Sequence, residues 1–344
     1  MTSELDATRP SPRPLGVPKS LSELSRDELP GTWCVFGVPI SYDCQQLETP
    51  QAGPLAIRGS VPYFAGRPSD RFKRTFWDWT GQRELDLDAL TPLDLGDIRY
   101  DQRLDTAVEV ESRIRAATET ICRAGGRPLV LGGEHWLTLP VVQAISSQQS
   151  DISVVHFDAH SDRYTTGRAS SQTLNNSNVM RFVEALPGVK QLLQIGVREL
   201  EAMTASTSPT SDGSCLTRTV SAHEAVTQPA AAVFDGIPLG SRVYLTIDAD
   251  VLDPSCAPEV GWPVMGGLSL RELMALVGYV VRSYTLVGAD LVEVIAGSGQ
   301  MNLAAMSLAK CALEIICADA AEAPGHADAP GGQTAASAPV LLAD

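Results

Sequence analysis

Along this chain the apolar residues gather into short runs, each closed by glycine, proline or polar residues. Such runs are Trp33–Val38, the end of Ala89–Asp97, Leu129–Leu131, Ile152–Phe157, Leu192–Val197, Val243–Ile247 and Leu286–Val292. Their length and composition predict buried strands. Between them apolar positions recur at helical spacing. Leu104–Arg123 starts acidic and stops at Gly125-Gly126, Ser269–Ser283 opens on a capping box of Ser269 and Glu272, and Met301–Ile316 is the last helix. A shorter helical stretch containing Arg58 follows Gly53-Pro54. Alternating strands and helices predict a three-layer α/β/α sandwich on a mostly parallel, doubly wound sheet. The ends read differently. Residues 1–30, rich in Pro, Ser and charge, read as a loose N-terminal arm, and residues 321–344 as a disordered tail, which leaves a single domain over 31–320.

Three of the runs end in groups that bind metals. Val154–Asp162 reads Val-Val-His-Phe-Asp-Ala-His-Ser-Asp. Alternate residues of an extended chain share a face, so Asp158, His160 and Asp162 are expected to leave the strand side by side. Leu129–His135 is an apolar run, a Gly-Gly turn and a histidine, and Val243–Asp250 ends in Asp248 and Asp250. Sites in open α/β sheets form beyond the carboxyl ends of strands. His135, Asp158, His160, Asp162, Asp248 and Asp250 are therefore candidate ligands of one centre. Acids this close repel one another unless a cation lies between them. Four carboxylates match two divalent ions, and a hydroxide shared by the ions is then the natural nucleophile. His156, on the face of Asp158, reads as a buried structural histidine.

The net charge of −15 argues against nucleic acid and anionic membrane as partners. No stretch reaches the ~18 apolar residues of a membrane helix, and the N-terminus lacks the apolar core of a signal peptide. Seven cysteines, an odd number without tight pairs, read as reduced core residues of a cytoplasmic protein.

Gly132–His135 (Gly-Gly-Glu-His), Asp158–Asp162 (Asp-Ala-His-Ser-Asp) and Thr246–Pro254 stand in the order of the motifs of the ureohydrolase superfamily, the arginases and agmatinases, which the chain resembles. Further matches are Gly37-Val38-Pro39, Gly53-Pro54 with Ala56-Ile57-Arg58, Leu95-Gly96-Asp97, Ile195–Arg198, Gly266–Ser269 and Val292-Glu293-Val294. The resemblance spans about Trp33 to Cys317 and leans to agmatinases, through the spacing of Thr246–Ser269 and the segment Gly53–Arg58. It implies an arginase-like fold and two Mn2+ per chain, although another divalent metal is compatible with the same ligands. His135 and Asp162 would hold one ion, His160 and Asp250 the other, and Asp158 and Asp248 would bridge. It implies hydrolysis of a guanidino C–N bond with release of urea. Asp250 would relay a proton, and Glu293 would pair with the guanidinium of a small guanidino or amidine substrate. Glu201 matches a position that holds a substrate amine in some relatives. A homotrimer or homohexamer is expected on the same ground.

The chain also departs from the family. Relatives that cleave arginine or agmatine commonly carry a His-Gly pair in the loop after Asp-Ala-His-x-Asp. Here Thr165–Asn178 reads as one polar loop, and Asn176 stands nearest to that histidine's place. Asparagine hydrogen-bonds but carries no proton near neutral pH. Trp262, in the altered segment Glu259–Trp262, brings an aromatic face towards the expected substrate position, and Glu134 replaces the usual Asp beside His135. These departures keep two alternatives open: a formiminoglutamase-like or otherwise specialised amidine hydrolase, and a metal-binding homologue with a regulatory or structural role.

Overall fold

The computed structural model describes residues 8–12, 14–41, 52–64, 75–78, 83–86, 92–101, 103–164, 173–200, 215–295 and 301–317. The strands are β1 (Thr8–Arg9), β2 (Val17–Pro18), β3 (Trp33–Val38), β4 (Thr75–Asp78), β5 (Arg83–Asp86), β6 (Leu93–Ile98), β7 (Arg127–Gly132), β8 (Ile152–Phe157), β9 (Val189–Val197), β10 (Leu216–Ser221), β11 (Arg242–Asp248) and β12 (Thr285–Val292). Ten of them form one sheet in the order β1-β6-β3-β7-β12-β11-β8-β9-β10, with β2 also on β6, while β4 and β5 pair separately. Within the large sheet every pairing is parallel except β1 on β6. The expected three-layer sandwich is therefore present.

Each face of the sheet carries its own core. On one face Leu129, Leu131, Val155, Phe157, Leu245, Ile247 and Leu291 pack with the helices Leu270–Ser283 and Leu303–Cys317. On the other, Val130, Val154, Tyr244 and Val292 pack with the helices Ala107–Arg123 and Thr138–Ser146. Strands covered on both faces need no polar alternation, which is why they read as apolar runs. The Ser269–Glu272 capping box is formed as expected, and a second, Thr106–Glu109, starts Ala107–Arg123.

Several elements escaped the sequence pattern. The helix Thr138–Ser146 buries seven of its nine residues, so it has no polar face to produce a helical period. Strand β10 is an edge strand reading Leu-Thr-Arg-Thr-Val-Ser in which only Val220 is buried, so it has no apolar run. The loose arm expected over residues 1–30 requires correction for the residues described. β1 and β2 pair with β6, and the Leu15 amide donates to Asp94 Oδ2 at 2.8 Å. Leu15 and Leu21 are buried, so isolated apolar side chains dock this polar segment onto the sheet. The expected tail, 321–344, lies outside the described residues.

Asp94 belongs to a buried ion cluster that also explains the Ala56-Ile57-Arg58 motif. The fully buried Arg58 guanidinium donates to Asp94 Oδ2 at 2.8 Å and to Asp97 Oδ1 at 2.6 Å. Removing one partner from such a cluster typically costs ~3–5 kcal/mol. Two close approaches then place the site-bearing turn. A Cβ on Gly133 would stand 2.5 Å from the Val38 carbonyl, and one on Gly53 2.5 Å from the Gly132 carbonyl. Only glycine allows the turn after β7 to nest between β3 and the helix Gly53–Phe64.

Candidate metal centre

Strands β7, β12, β11 and β8 are neighbours in the middle of the sheet, and all four deliver a candidate side chain at their carboxyl ends. His135 follows β7 in a short 3-10 turn, Asp158 follows β8, Asp248 ends β11, and Glu293 follows β12. His160, Asp162 and Asp250 arrive by turns rather than by strand alternation. The extended face expected for Asp158, His160 and Asp162 is thus corrected: β8 stops at Phe157 and the chain bends. The Asp158 carboxylate accepts the His160 amide at 2.6 Å, and Asp162 adopts φ +50°. A straight strand would spread residues i and i+4 by roughly 13 Å. The bend brings them together.

The candidates form two groups that share Asp158. His135 Nδ1 lies 3.2 Å from Asp158 Oδ2, 3.0 Å from Asp162 Oδ2 and 3.3 Å from Asp248 Oδ2. His160 Nδ1 lies 3.3 Å from Asp158 Oδ1 and 3.0 Å from Asp250 Oδ2. Asp158 therefore turns one oxygen to each histidine. His135 Nδ1 is buried and makes no hydrogen bond, while its Nε2 meets Thr246 Oγ1 at 2.9 Å. A ring nitrogen facing three carboxylate oxygens fits a cation at their centre. Ligand atoms around an octahedral ion at ~2.1 Å stand ~3 Å apart, which is the spacing found.

The electrostatics point the same way. Burial, then the charges of Asp250 and Asp158, drives Asp248 well above the usual carboxylate range. Burial and Asp158 also raise Asp162 and Asp250. Burial pushes the His135 imidazole down, but Asp158, Asp162 and Asp248 outweigh it and hold it well above its ordinary value. Asp158 is the exception. Burial raises it, and His156, His135 and His160 together hold it well below the usual range. A cluster in which three acids resist ionisation is short of positive charge.

Around these ligands the structure adds braces. His156 is more than a structural histidine: its Nε2 meets Asp158 Oδ2 at 2.9 Å, and its Nδ1 faces the Gln194 amide nitrogen at 3.0 Å. Arg198 donates to the carbonyls of Asp250 at 2.7 Å, Leu252 at 3.1 Å and Val264 at 2.8 Å, tying the ligand turn to the loop beyond it. Glu199 accepts the Ser161 amide at 2.9 Å and bonds the Tyr164 hydroxyl. Sequence reasoning missed Gln194, Glu199 and Asp290. Gln194 and Asp290 left a signal, a polar residue inside an apolar strand. Glu199 left none.

The remaining candidates fall as follows. Glu293 adopts φ +62°, donates its amide to the Gly133 carbonyl at 2.9 Å, and accepts the His135 amide on Oε1 at 2.7 Å. Burial, then the charge of Glu134, pushes its carboxyl up to about 8. Left-handed non-glycine residues cluster at functional sites, and Asp162 and Glu293 are both of this kind. Asn176 opens a 3-10 turn and accepts the Trp136 amide at 3.1 Å, next to His135. The polar loop expected over Thr165–Asn178 is thus a structured turn at its end, and residues 165–172 lie outside the description. Glu201 lies outside it as well. Val260 pairs with Val294, so Trp262, 70% exposed, follows beside the strand end that carries Glu293. Glu259 instead serves the helix Leu303–Cys317, accepting the Ala304 amide at 3.0 Å. Asp253 accepts the amides of Gly266 at 2.8 Å and Gly267 at 3.1 Å, closing the loop as its sequence suggests.

Six described cysteines carry no disulfide, and no helix of the described residues is long and apolar enough to cross a membrane. A profile of the arginase family matches residues 32–335, running past position 320, where the sequence reading ended the domain. The agmatinase of Cronobacter sakazakii is 31% identical over 298 residues, covering 84% of this chain and 88% of that protein. A crystal structure described as a hypothetical agmatinase from Burkholderia thailandensis superposes with a TM-score of 0.66 at 25% identity, covering 92% of this chain and 96% of that one. The agmatine ureohydrolase of Thermoplasma volcanium shares the fold, with a TM-score of 0.67 at 23% identity over 87% of this chain and 94% of that one. Matched over most of its length by the family profile and by a relative at this identity, the chain belongs to the arginase family, hydrolases of C–N bonds in guanidines and related amidines.

Proposed function

We propose that this chain is a binuclear-metal ureohydrolase of the agmatinase type, releasing urea from a small guanidino substrate. The observation that carries the reading is Asp158, with one oxygen turned to each of two histidine-centred ligand groups. His135 and Asp162 would hold one ion and His160 and Asp250 the other, with Asp158 and Asp248 contributing to both. Carboxylate-rich donor sets suit Mn2+. Two such ions, when bound, lower the pKa of water enough to supply a nucleophile at neutral pH.

The chain's own residues do the rest. Glu293 binds the guanidinium, a planar double donor that matches a carboxylate. Its raised carboxyl is suited to this role, because the incoming cation supplies the charge that restores its ionisation. Water adds to the guanidino carbon and the bond from that carbon to the alkyl nitrogen breaks. Asp250 carries the proton lost by the water to the departing amine, so the products are urea and a primary amine. Asn176 hydrogen-bonds the substrate, Trp262 lines the approach, and Glu201 meets a distal amine.

The test is the Mn2+-reconstituted full chain on a panel of guanidino compounds including agmatine and arginine. Urea release supports the reading. Ammonia or formamide without urea from formimino compounds transfers it to the formiminoglutamase-like branch, which Asn176 favours. Bound metal without any product leaves a non-catalytic homologue.

A further inference from the structure

Beneath the ligands lies a row of buried polar residues that the mechanism does not use. Gln194 on β9 is in register with His156 on β8, His156 with Thr246 on β11, and Thr246 with Asp290 on β12. All four are completely buried. The neighbouring positions on these strands are almost all apolar, so a polar row in mid-sheet is costly unless each member is bonded.

Asp290 is the costliest member. Its Oδ2 accepts the Tyr244 hydroxyl at 2.5 Å and the Thr138 hydroxyl at 2.8 Å, yet its Oδ1 has no hydrogen-bond partner. Two hydroxyls on one oxygen would suffice for a structural pin. The bare oxygen belongs to a carboxylate whose ladder neighbour is Thr246, and Thr246 Oγ1 lies 2.9 Å from His135 Nε2. Burial pushes the Asp290 carboxyl up, while His135, Thr246, Tyr244 and Thr138 push it back down.

We propose that Asp290 is a positioning residue which, through the Thr246 hydroxyl, keeps the proton of His135 on Nε2 and so leaves Nδ1 bare for a metal ion. The inference rests on the metal-centre reading above. With Asp290 ionised, its carboxylate only accepts, so a Thr246 hydroxyl turned to the unpartnered Oδ1 is a donor. That hydroxyl oxygen is then an acceptor on its other side, and His135 Nε2 must be the donor. The nitrogen left without a proton is Nδ1, the atom that faces Asp158, Asp162 and Asp248 and makes no hydrogen bond. The tautomer a histidine presents to a metal is set in this way by what its other nitrogen bonds.

Asp290→Asn reverses the polarity with little change of shape. Tyr244 and Thr138 keep the amide oxygen, and the amide NH2 turns to Thr246. The Thr246 hydroxyl must then donate to His135 Nε2, which moves the ring proton to Nδ1, against the metal. Thr246→Val removes the relay outright, and Thr246→Ser retains it. The experiment titrates Mn2+ into the metal-free full chain, by calorimetry and by electron paramagnetic resonance. The wild type should take two ions and show an exchange-coupled signal. Asp290→Asn and Thr246→Val should weaken one of the two ions ~10–100-fold and show an isolated-ion signal at sub-saturating Mn2+. Thr246→Ser should behave as wild type. If Asp290→Asn does not fold, Thr246→Val decides. Folded variants with wild-type affinity for both ions overturn the proposal and leave the metal-centre reading standing. A wild type that binds no Mn2+ overturns both.

Discussion

The two halves of the candidate centre are built differently. The His135 half is closed: its imidazole is 1% exposed, faces three carboxylate oxygens, and is braced from the sheet by Thr246. The His160 half is open: its side chain is 21% exposed and its ring nitrogen faces two carboxylates, held by turns rather than by strands. Sheet-borne ligands are fixed by register, and turn-borne ligands by a few local hydrogen bonds. The closed half is therefore expected to load first and hold longer, and the open half to be where water and substrate enter.

The largest effect should come from Asp158, whose two oxygens face the two halves. Asp158→Ala should leave less than one Mn2+ per chain and reduce urea release to background, as read by metal analysis after gel filtration. Next, His160→Ala should empty only the open half and His135→Ala only the closed half, each leaving about one equivalent. A His160→Ala variant that keeps two ions would refute the division. Glu293→Gln should retain both ions and the thermal midpoint yet lose more than a hundredfold in kcat/KM. Removing one partner of a buried pair costs ~3–5 kcal/mol, at ~1.4 kcal/mol per decade. Near-normal kinetics would remove Glu293 from the substrate.

Two smaller effects probe the rim. Asn176→His places an imidazole next to the closed half, where general acid–base groups typically contribute ~10²–10⁴-fold. It should shift preference among guanidino substrates and add a limb near pH ~6.5 to the rate profile. Unchanged preference and pH profile with both ions bound would show that this turn does not meet substrate. Trp262→Ala, at an exposed position, should raise KM by no more than ~tenfold while kcat and metal content stay put. A change in metal content instead would make Trp262 a support of the ligand loop.

How far these features were legible follows from where each kind of information resides. Strands β3, β7, β8, β11 and β12 were readable because burial on both faces writes apolar runs into the chain. The six candidate ligands were readable because each motif is local and ends such a run. Thr138–Ser146 and β10 were not, since one has no polar face and the other no apolar run. The docked N-terminal segment was missed because single residues, Leu15 and Leu21, anchor it, and single residues carry no period.

What the sequence determined by itself is the set of elements and the inventory of donors, because hydrophobic pattern and residue chemistry are properties of short stretches. Tertiary structure decided which donors meet. It brought β7, β12, β11 and β8 side by side, bent the chain after Phe157 so that Asp162 reaches His135, and set Asp290 across the ladder from Thr246 beneath the ligands. Those neighbours are 44 residues apart in the chain in the last case. Contacts of that separation depend on strand order and register, which only the packed sheet specifies.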